Sequence, residues 1–354
     1  MVTIDVYMIA LNKLINNRYG GTMSKKLRIG IAYDVKEDYR ISAEGLKHCD
    51  FSTLFEIKMI KELLEERGHT VFLLGNYQKI NNLFISGTFP DIDIVMNTAE
   101  GILSRNREGW LPSLFEINNI PYSGSDAYAL GLTLNKLHTK IIAEHLSIST
   151  PPYYKIDTVE DVKNAVKYIK GPWILKPNYE GSSSGVVLTF SEQELIRAFE
   201  NLSKEYHQTL LCETYIPGRE FNVSLLYDGD NTKIIGTVEI VRKGKGELKI
   251  FSAEDKYSDT CTKIPASLPQ SIIERMQDDT KRLHQFIGCN DYSRADFRVS
   301  TSGQYYFLEL TPLPNVDYES GFAKCCEYSK LKLGKVLEEI LYNALKRYKK
   351  MQDY

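Results

Sequence analysis

Two acidic residues near the C-terminal end of the chain, Asp296 and Glu309, are predicted to face each other across a β-hairpin. Residues 294–299 alternate polar and apolar side chains like a half-buried strand, Ser302 and Gly303 favour a tight turn, and the residues beyond alternate again. If Ser302 and Gly303 are the two loop residues, Asp296 lies directly opposite Glu309. Two carboxylates in that position repel each other. A divalent cation between them would turn the repulsion into coordination, and carboxylate oxygens suit Mg²⁺. The alternative is a pair of solvated charges on an exposed face.

The same register assigns the other hairpin residues to two faces. The apolar face pairs Ala295 with Leu310, Phe297 with Leu308 and Val299 with Tyr306. The polar face adds Arg294 opposite Thr311, beside the two carboxylates. Chemistry is therefore expected on the polar face.

A lysine and a small-residue loop form a second candidate site. Lys176 ends a predicted strand and is followed by a Gly/Ser-rich loop, residues 177–185. Small residues let backbone N–H groups point at anionic oxygens, and the lysine adds positive charge, so this arrangement can hold phosphate. It is not a Walker loop, because it lacks Gly-Lys-Ser/Thr and no helix follows it. An ordinary turn is the alternative.

The segment 213–221, in which a predicted strand ends, a short linker follows and Glu220 precedes another strand, suits a nucleoside. Its backbone groups can meet the edge of an adenine. The carboxylate of Glu220, just beyond the linker, can accept hydrogen bonds from ribose hydroxyls. Otherwise, Glu220 is an ordinary exposed acid on a strand.

Taken in order, these motifs resemble the ATP-grasp superfamily and, more narrowly, the D-alanine–D-alanine ligase family. The resemblance covers roughly residues 27–348. Each motif is weak singly, but the ordered set is specific. The motifs are Ile120-Pro121-Tyr122 with Gly124-Ser125, Lys136 and Lys140, Lys176-Pro177 with Glu180-Gly181-Ser182-Ser183 and Gly185, Glu213 with Gly218-x-Glu220-Phe221, Lys256-Tyr257, Arg294-x-Asp296, and Glu309-x-Thr311. The resemblance implies an α/β (α+β) fold of the ATP-grasp type. In it, an N-terminal parallel α/β domain precedes two α+β subdomains that clamp ATP.

The resemblance implies a set of nucleotide contacts. The residues expected to bind ATP are Lys136, Lys176, Ser182, Ser183, Ser184, Glu213, Tyr215, Ile216, Glu220 and Lys256. In that set the lysines contact phosphate, the serines form a loop that closes over it, and Glu220 binds the ribose. Glu213 and the backbone of Tyr215 and Ile216 would hold adenine.

The resemblance also implies a catalytic set that joins a carboxylate to an amine through an acyl phosphate. The implied catalytic residues are Arg294, for the oxyanion, Ser182, and Lys256 and Tyr257 on a mobile covering loop. The implied ligands of Mg²⁺, which Mn²⁺ can replace, are Asp296, Glu309 and Thr311. Ser320 and Gly321, with Arg294, would bind the carboxylate of the second substrate.

Two departures from the family fall on its pocket for the first substrate. The family has His-Gly after the strand that corresponds to residues 92–97, whereas this chain has Glu100 at the histidine position. Its Gly-Gly…Ser-x-Glu signature, whose Glu binds the amine of the first D-alanine, is replaced by residues 33–40, which contain no glycine. A polar insert adds Arg105 and Arg107, whose guanidinium groups suit a carboxylate or phosphate. Glu100 and these arginines are candidate substrate contacts, with solvated loop arginines as the alternative.

A third departure lies at Thr311, where the family has a metal-binding Asn. A hydroxyl is a weaker ligand than an amide carbonyl, so one metal is expected to bind less tightly. The nucleotide half of the site is intact, whereas the first-substrate half is altered.

We therefore predict an ATP-dependent carboxylate–amine ligase that acts on amino-acid-like or peptide-like substrates other than two D-alanines. One alternative is a D-alanine–D-alanine ligase of cell-wall synthesis with an unusual pocket. Another is a nucleotide-binding protein that has lost turnover, which Thr311 alone supports. The resemblance suggests a homodimer through the first domain.

Composition narrows the class of protein. The 354 residues are 43% hydrophobic and 25% charged, which is ordinary for a globular protein, and the net charge of −2 favours neither nucleic acid nor an anionic membrane. The six cysteines show no zinc-ligand spacing and are expected to be reduced thiols in a cytoplasmic protein. No apolar run approaches the roughly 18 residues of a membrane span.

The chain is predicted to divide into an N-terminal extension, 1–26, an N-terminal α/β domain, 27–135, a small ATP-grasp subdomain, 136–218, and a C-terminal catalytic subdomain, 219–354. Strands that alternate with helices in the second of these segments imply a parallel sheet. The first residues make a poor signal peptide, and Met23 could be the true start.

Overall fold

The computed structural model describes residues 26–40, 50–244, 250–258 and 260–352, and of residues 256, 257 and 350–352 it describes the backbone alone. The predicted N-terminal extension therefore lies outside the described residues, apart from Lys26. The roles predicted for the side chains of Lys256 and Tyr257 also lie outside them.

A parallel sheet forms the N-terminal layer, as the alternation of strands and helices predicts. Its strands are β1 (Arg28–Ala32), β2 (Thr70–Gly75) and β3 (Ile94–Asn97), in the order β2-β1-β3. The helices of this layer are α1 (Leu54–Glu65), α2 (Tyr77–Ile85), α3 (Trp110–Ile117) and α4 (Ala127–Leu134). All four residues of β3 are buried, which is typical of a strand covered on both faces.

A four-stranded antiparallel sheet follows. Its strands are β4 (Tyr153–Ile156), β5 (Trp173–Pro177), β6 (Val187–Thr189) and β7 (Leu210–Thr214), in the order β4-β7-β5-β6. The amphipathic helices α6 (Val159–Tyr168) and α7 (Glu192–Tyr206) cover it. Leu195 and Leu202 of α7 share a core with Leu175 and Leu210 of the sheet.

A five-stranded antiparallel sheet completes the fold. Its strands are β8 (Gly218–Tyr227), β9 (Thr232–Arg242), β10 (Cys261–Pro265), β11 (Tyr292–Ser300) and β12 (Tyr305–Thr311), in the order β10-β9-β8-β11-β12. The helices of this part are α8 (Ala253–Tyr257), α9 (Gln270–Ile287), α10 (Gly321–Tyr328) and α11 (Leu333–Gln352). Met276 and Leu283 of α9 pack on one face of the sheet, and Phe322 of α10 packs on the other.

Helix α5 (Lys136–His145) packs against the five-stranded sheet. Its Ala143 lies in the same core as Phe307 and Leu310 of β12. The predicted boundary at residue 136 groups α5 with the small subdomain, and the contacts of this helix with β12 cross that boundary. The helix thereby brings Lys136 beside the strand that carries Glu309.

Strand β1 and helix α11, the first and last elements that the structure describes, share a hydrophobic core. Ile29 and Ile31 of β1 lie in one buried cluster with Leu337 and Ile340 of α11. The side chain of His69 contacts Glu338 of α11 at 3.0 Å. The N-terminal sheet is thus completed by a helix from the far end of the described chain.

The β11–β12 hairpin has the predicted register at the candidate site. Asp296 lies opposite Glu309, and Arg294 lies opposite Thr311. The prediction that a hairpin brings the two carboxylates face to face is confirmed.

Nearer the turn the predicted register is wrong, since the partners are Phe307 for Phe297 and Tyr305 for Val299, instead of Leu308 and Tyr306. The Ser300 N–H donates to the carbonyl of Gln304 at 2.8 Å, so the turn contains three residues rather than Ser302 and Gly303 alone. One unpaired residue, Leu308, forms a bulge that restores the predicted pairing at the carboxylates. The bulge also places Leu308 on the cavity wall rather than on the apolar face.

The described part of the chain gives two further results. No helix in it has both the length and the apolar character that a membrane crossing requires. Every cysteine that the structure describes is a free, buried thiol.

Candidate active site

A cavity of about 510 Å³ lies between the four-stranded and five-stranded sheets. Of the residues predicted from the sequence to be functional, those that line it are Lys136, Lys176, Ser182, Ser183, Ser184, Glu213, Tyr215, Ile216, Glu220, Arg294, Asp296, Glu309, Ser320 and Gly321. The structure does not bring Glu100, Arg105, Arg107 or Thr311 to its wall. One cavity therefore combines the predicted phosphate, nucleoside and carboxylate positions.

The Gly/Ser-rich loop between β5 and β6 has an unusual backbone. Ser182 and Ser183 both adopt the left-handed region, with φ of 49° and 60°. This conformation costs about 1–2 kcal/mol for each residue other than glycine. Ser184 fixes the end of the turn, because its Oγ lies 2.9 Å from the hydroxyl of Tyr206. Successive N–H groups in such turns form a concave surface for anions, which suits phosphate.

Two lysines converge on Glu213 at one end of the cavity. Its Oε1 lies 2.7 Å from Nζ of Lys176 and 3.0 Å from Nζ of Lys140. Burial alone would raise the pKa of the Glu213 carboxyl, but the two ammonium groups hold that pKa below its usual value. Burial lowers the pKa of Lys140 to about 8 despite the neighbouring carboxylate. Glu213 is therefore a fixed anion with one lysine behind it and one on the cavity wall.

Lys136 joins the small-residue loop to the hairpin. Its Nζ donates to the carbonyl of Glu180 at 2.5 Å and lies 3.3 Å from Oε2 of Glu309. As the first residue of α5, it also depends on the packing of that helix against β12. A phosphate held by the loop would therefore lie within reach of this ammonium.

The linker between β7 and β8 is held by neighbouring backbone and by Arg298. The Tyr215 N–H donates to the carbonyl of Pro172 at 2.8 Å, so that group is not available to a nucleobase. Arg298 donates to the carbonyl of Ile216 and forms an ion pair with Glu220. Arg298 is not predicted as a functional residue by the sequence motifs. The available signal was its place on the polar face of β11, after Arg294 and Asp296.

Asp296 and Glu309 each have a cationic partner in this structure. The guanidinium of Arg294 donates to both oxygens of Asp296, at 2.7 and 2.8 Å, and Nδ2 of Asn222 donates to Oδ1 at 2.8 Å. Glu309 faces Lys136. Both carboxylates lie on the wall of one cavity and opposite each other in the sheet. Two hard oxygen donors beside the small-residue loop fit Mg²⁺, which prefers carboxylate, phosphate and water oxygens as ligands.

Thr311, the third predicted ligand of Mg²⁺, lies on the strand that carries Glu309. It lies two residues along β12 from Glu309 but outside the residues that line the cavity. Within the described ranges, no group of three or more His, Cys, Asp or Glu residues is arranged to hold a metal. The fit to Mg²⁺ therefore depends on Asp296 and Glu309.

The far end of the cavity is formed by the N-terminus of α10. Ser320 caps this helix, accepting a hydrogen bond from the Ala323 N–H at 3.0 Å. A Cβ on Gly321 would lie 2.2 Å from Oδ1 of Asn222, so this close approach requires glycine. Lys263, which the motifs do not predict, lines the same end. A helix N-terminus with nearby cations favours a carboxylate.

Arg107 lies in the N-terminal layer beside the small-residue loop. It donates to the carbonyl of Tyr179 and to Asp50, both at 2.7 Å, and its side chain is only 6% exposed. Arg105, in contrast, is exposed. The structure thus uses the fork of Arg107 to fasten the loop to the N-terminal layer.

The same arginine is surrounded by acidic side chains. Burial, reinforced by nearby carboxylates, raises the pKa of both Glu100 and Glu108 above the usual range. Burial also raises the pKa of Asp34, which accepts a hydrogen bond from the Gly101 N–H at 2.7 Å. The guanidinium of Arg107 opposes these shifts for the two glutamates. The region that corresponds to the altered first-substrate half is therefore a crowded acidic cluster with Arg107 at its centre.

Replacing Arg107 with methionine is expected to lower the free energy of unfolding by about 3–5 kcal/mol near neutral pH, because Asp50 would be buried without its partner. The raised pKa values mean that the folded state binds more protons than the unfolded state between the ordinary and the raised values. These glutamates therefore add stability as the pH falls through that window. Without the Arg107 guanidinium both pKa values should rise further, so the variant gains more stability in mild acid than the unaltered protein and the loss should shrink. Urea denaturation near neutral pH and in mild acid measures this loss of unfolding free energy.

Arg105→Met is the matched control, and its unfolding free energy should change by no more than about 0.5 kcal/mol. Equal losses in the two variants would contradict the assignment.

Comparison with known sequences identifies relatives of this chain. Residues 142–342 match the family model described as D-ala D-ala ligase C-terminus. A D-alanine–D-alanine ligase of Wolbachia pipientis wMel is 33% identical over 225 residues, which cover 59% of this chain and 68% of that protein. A D-alanine–D-alanine ligase of Lactobacillus acidophilus is 26% identical over 299 residues, 81% of each chain.

Solved structures show the same fold. A D-alanine–D-alanine ligase from Bacillus anthracis, complexed with ATP, superposes with a TM-score of 0.71 at 20% identity and covers 92% of this chain and 99% of that one. The VanG D-Ala:D-Ser ligase from Enterococcus faecalis superposes with a TM-score of 0.68 at 18% identity, covering 90% and 99%. The predicted ATP-grasp fold is confirmed.

Proposed function

The chain belongs to the D-alanine–D-alanine ligase family of ATP-dependent, C–N bond-forming enzymes, and on that premise we propose that its substrates are an amino-acid-like or peptide-like acid and an amine other than two D-alanines. The observation that carries the ligase chemistry is the cavity itself. Asp296 and Glu309 lie opposite each other on its wall, and Arg294 and the small-residue loop line it with them. Arg294 and the two carboxylates are therefore the groups that we assign to the reaction itself.

The proposed reaction has two steps. A carboxylate oxygen of the first substrate attacks the γ-phosphorus of ATP, the bond to ADP breaks, and an acyl phosphate forms. The amine nitrogen of the second substrate then attacks the acyl carbon and loses a proton, and inorganic phosphate leaves. The products are an amide, ADP and phosphate.

We assign the residues of the cavity to these steps. Bound at Asp296 and Glu309, Mg²⁺ would neutralise phosphate charge. Lys136, Lys176 and Arg294 line the same cavity; we assign the two lysines to phosphate and Arg294 to the oxyanion of the second step. Ser320 and Gly321 would hold the carboxylate of the amine substrate. The loop at Ser182 must exclude water, since the acyl phosphate would otherwise hydrolyse.

The altered first-substrate half supports a substrate other than D-alanine. Glu100 replaces the histidine of the family and lies in a crowded acidic cluster. Arg107 is engaged by Asp50 and by the backbone of the loop, so its role is to support the site rather than to bind a carboxylate. Arg105 is exposed. Of the three residues predicted to contact the first substrate, we retain Glu100, although it does not line the large cavity.

The second candidate is D-alanine–D-alanine ligation itself, which the names of the relatives favour. The same fold also serves a D-Ala:D-Ser ligase, so its architecture does not fix the amine. The two candidates differ in the first substrate, and a direct assay separates them.

The decisive experiment measures ADP release with ATP and Mg²⁺ over pairs of D- and L-amino acids and dipeptides, followed by mass spectrometry of the product. We expect release that requires one particular acid and amine, with D-alanine alone close to the background of ATP without acid. Strong formation of the D-alanine dipeptide would overturn the proposed substrate class. If no pair of substrates gave ADP release above background, the protein would instead be a nucleotide-binding protein without turnover.

A further inference from the structure

Arg298 carries a guanidinium into the nucleoside end of the cavity. It lies on β11 directly opposite Glu220 on β8, and its side chain is 5% exposed. Both residues line the cavity. A buried arginine beside a nucleoside site is uncommon enough to require an explanation, because long charged side chains are rarely buried unless they are paired.

The contacts of Arg298 join the linker to the acidic residue that follows it. Nη1 donates to Glu220 and Nε donates to the carbonyl of Ile216. Nη2 lies 3.2 Å from the carbonyl of Gly218 and 3.3 Å from the hydroxyl of Tyr215. The guanidinium carbon also lies 5.1 Å from the centre of the Tyr215 ring. One side chain thus holds Tyr215 and Ile216 of the linker together with Gly218 and Glu220 of β8.

We propose that Arg298 is a positioning residue for the ribose of the nucleotide. It holds the Glu220 carboxylate at the angle that ribose hydroxyls need, and it fixes the linker that frames the base. This inference rests on the proposed function, in which Glu220 accepts those hydroxyls. Arginine suits this task because its planar fork can donate to a carboxylate and to backbone carbonyls at the same time.

A solely structural arginine would have a different effect when it is replaced. Loss of structure alone would weaken the binding of every nucleotide to a similar extent. Loss of carboxylate positioning would weaken only nucleotides that carry ribose hydroxyls. A hydrogen bond to a charged acceptor corresponds to roughly a 10- to 100-fold change in affinity, so the two cases can be distinguished by binding measurements.

The test compares MgATP with Mg-2′,3′-dideoxy-ATP, which lacks both hydroxyls, by isothermal titration calorimetry without acid or amine substrate. We expect the unaltered protein to favour ATP by roughly 10- to 100-fold. Arg298→Met should bind ATP more weakly and lose most of this preference, and Arg298→Lys should recover part of it. Glu220→Gln should behave like Arg298→Met, and the double variant should lose no more than either single one.

Arg219→Met provides the matched control, since Arg219 precedes Glu220 on the same strand but pairs with Glu239 and lies outside the cavity lining. It should retain the full preference for ATP. The inference would be overturned if Arg298→Met kept the full preference for ATP over the dideoxy nucleotide. It would also be overturned if this variant bound both nucleotides equally more weakly and had a lowered melting temperature that Arg298→Lys did not restore. Because no acid or amine is present, this result is independent of the substrate assay that tests the proposed function.

Discussion

Replacing Glu309 with glutamine is expected to lower kcat by about 10²-fold or more, a loss of about 2.7 kcal/mol of transition-state stabilisation. The reason is the loss of one of the two carboxylates that fit Mg²⁺ on the cavity wall. Folding should change by no more than about 1 kcal/mol, because the ion pair with Lys136 is partly exposed and the repulsion from Asp296 is relieved. Steady-state kinetics over a magnesium titration, with a thermal melt, measures both quantities.

Glu327→Gln is the matched control for this variant. Glu327 is a surface acid that also pairs with a lysine, Lys324, at 3.0 Å. Its replacement should leave kcat and the magnesium dependence unchanged. If Glu309→Gln reached the normal kcat at saturating magnesium, Glu309 would not have the role assigned to it.

Replacing Arg294 with alanine should lower kcat by about 10²–10³-fold, the loss typical of a removed oxyanion donor. The KM for ATP should change little, since an oxyanion contact acts in the transition state rather than in nucleotide binding. Asp296 would also lose the partner that donates to both of its oxygens. Initial-rate kinetics with each substrate varied in turn separates kcat from KM.

Arg294→Lys distinguishes charge from geometry in this experiment. Lysine keeps the positive charge near Asp296 but lacks the fork, so it should recover stability without recovering most of kcat. If Arg294→Ala kept its kcat and raised only the KM for ATP, Arg294 would contact the nucleotide rather than the oxyanion.

The hairpin shows how sequence patterns can predict a site while missing part of its geometry. Alternation along β11 and β12 predicted that Asp296 faces Glu309, and the structure has this pair. The turn is one residue longer than predicted, and the bulge at Leu308 compensates for the difference. Local alternation reports which face a side chain occupies, but it cannot locate a bulge, because a bulge depends on the partner strand.

The supporting arginines could not be predicted for a different reason. Arg107 contacts Asp50 and the backbone of Tyr179, and Arg298 contacts the backbone of Ile216. In each case the partner is distant in sequence, and part of the contact is to a carbonyl that every residue type carries. Motifs therefore predicted groups that line the cavity, whereas the groups that hold them in place became evident only from the fold.

The core shared by β1 and α11 has a consequence for how the chain is made. Synthesis proceeds from the N-terminus, and most domains fold as soon as they have emerged. Here Ile29 and Ile31 obtain their partners Leu337 and Ile340 only when the last described helix has left the ribosome. The layer that contains β1 must therefore wait with part of its apolar surface exposed, and a premature stop before α11 would leave that part uncovered.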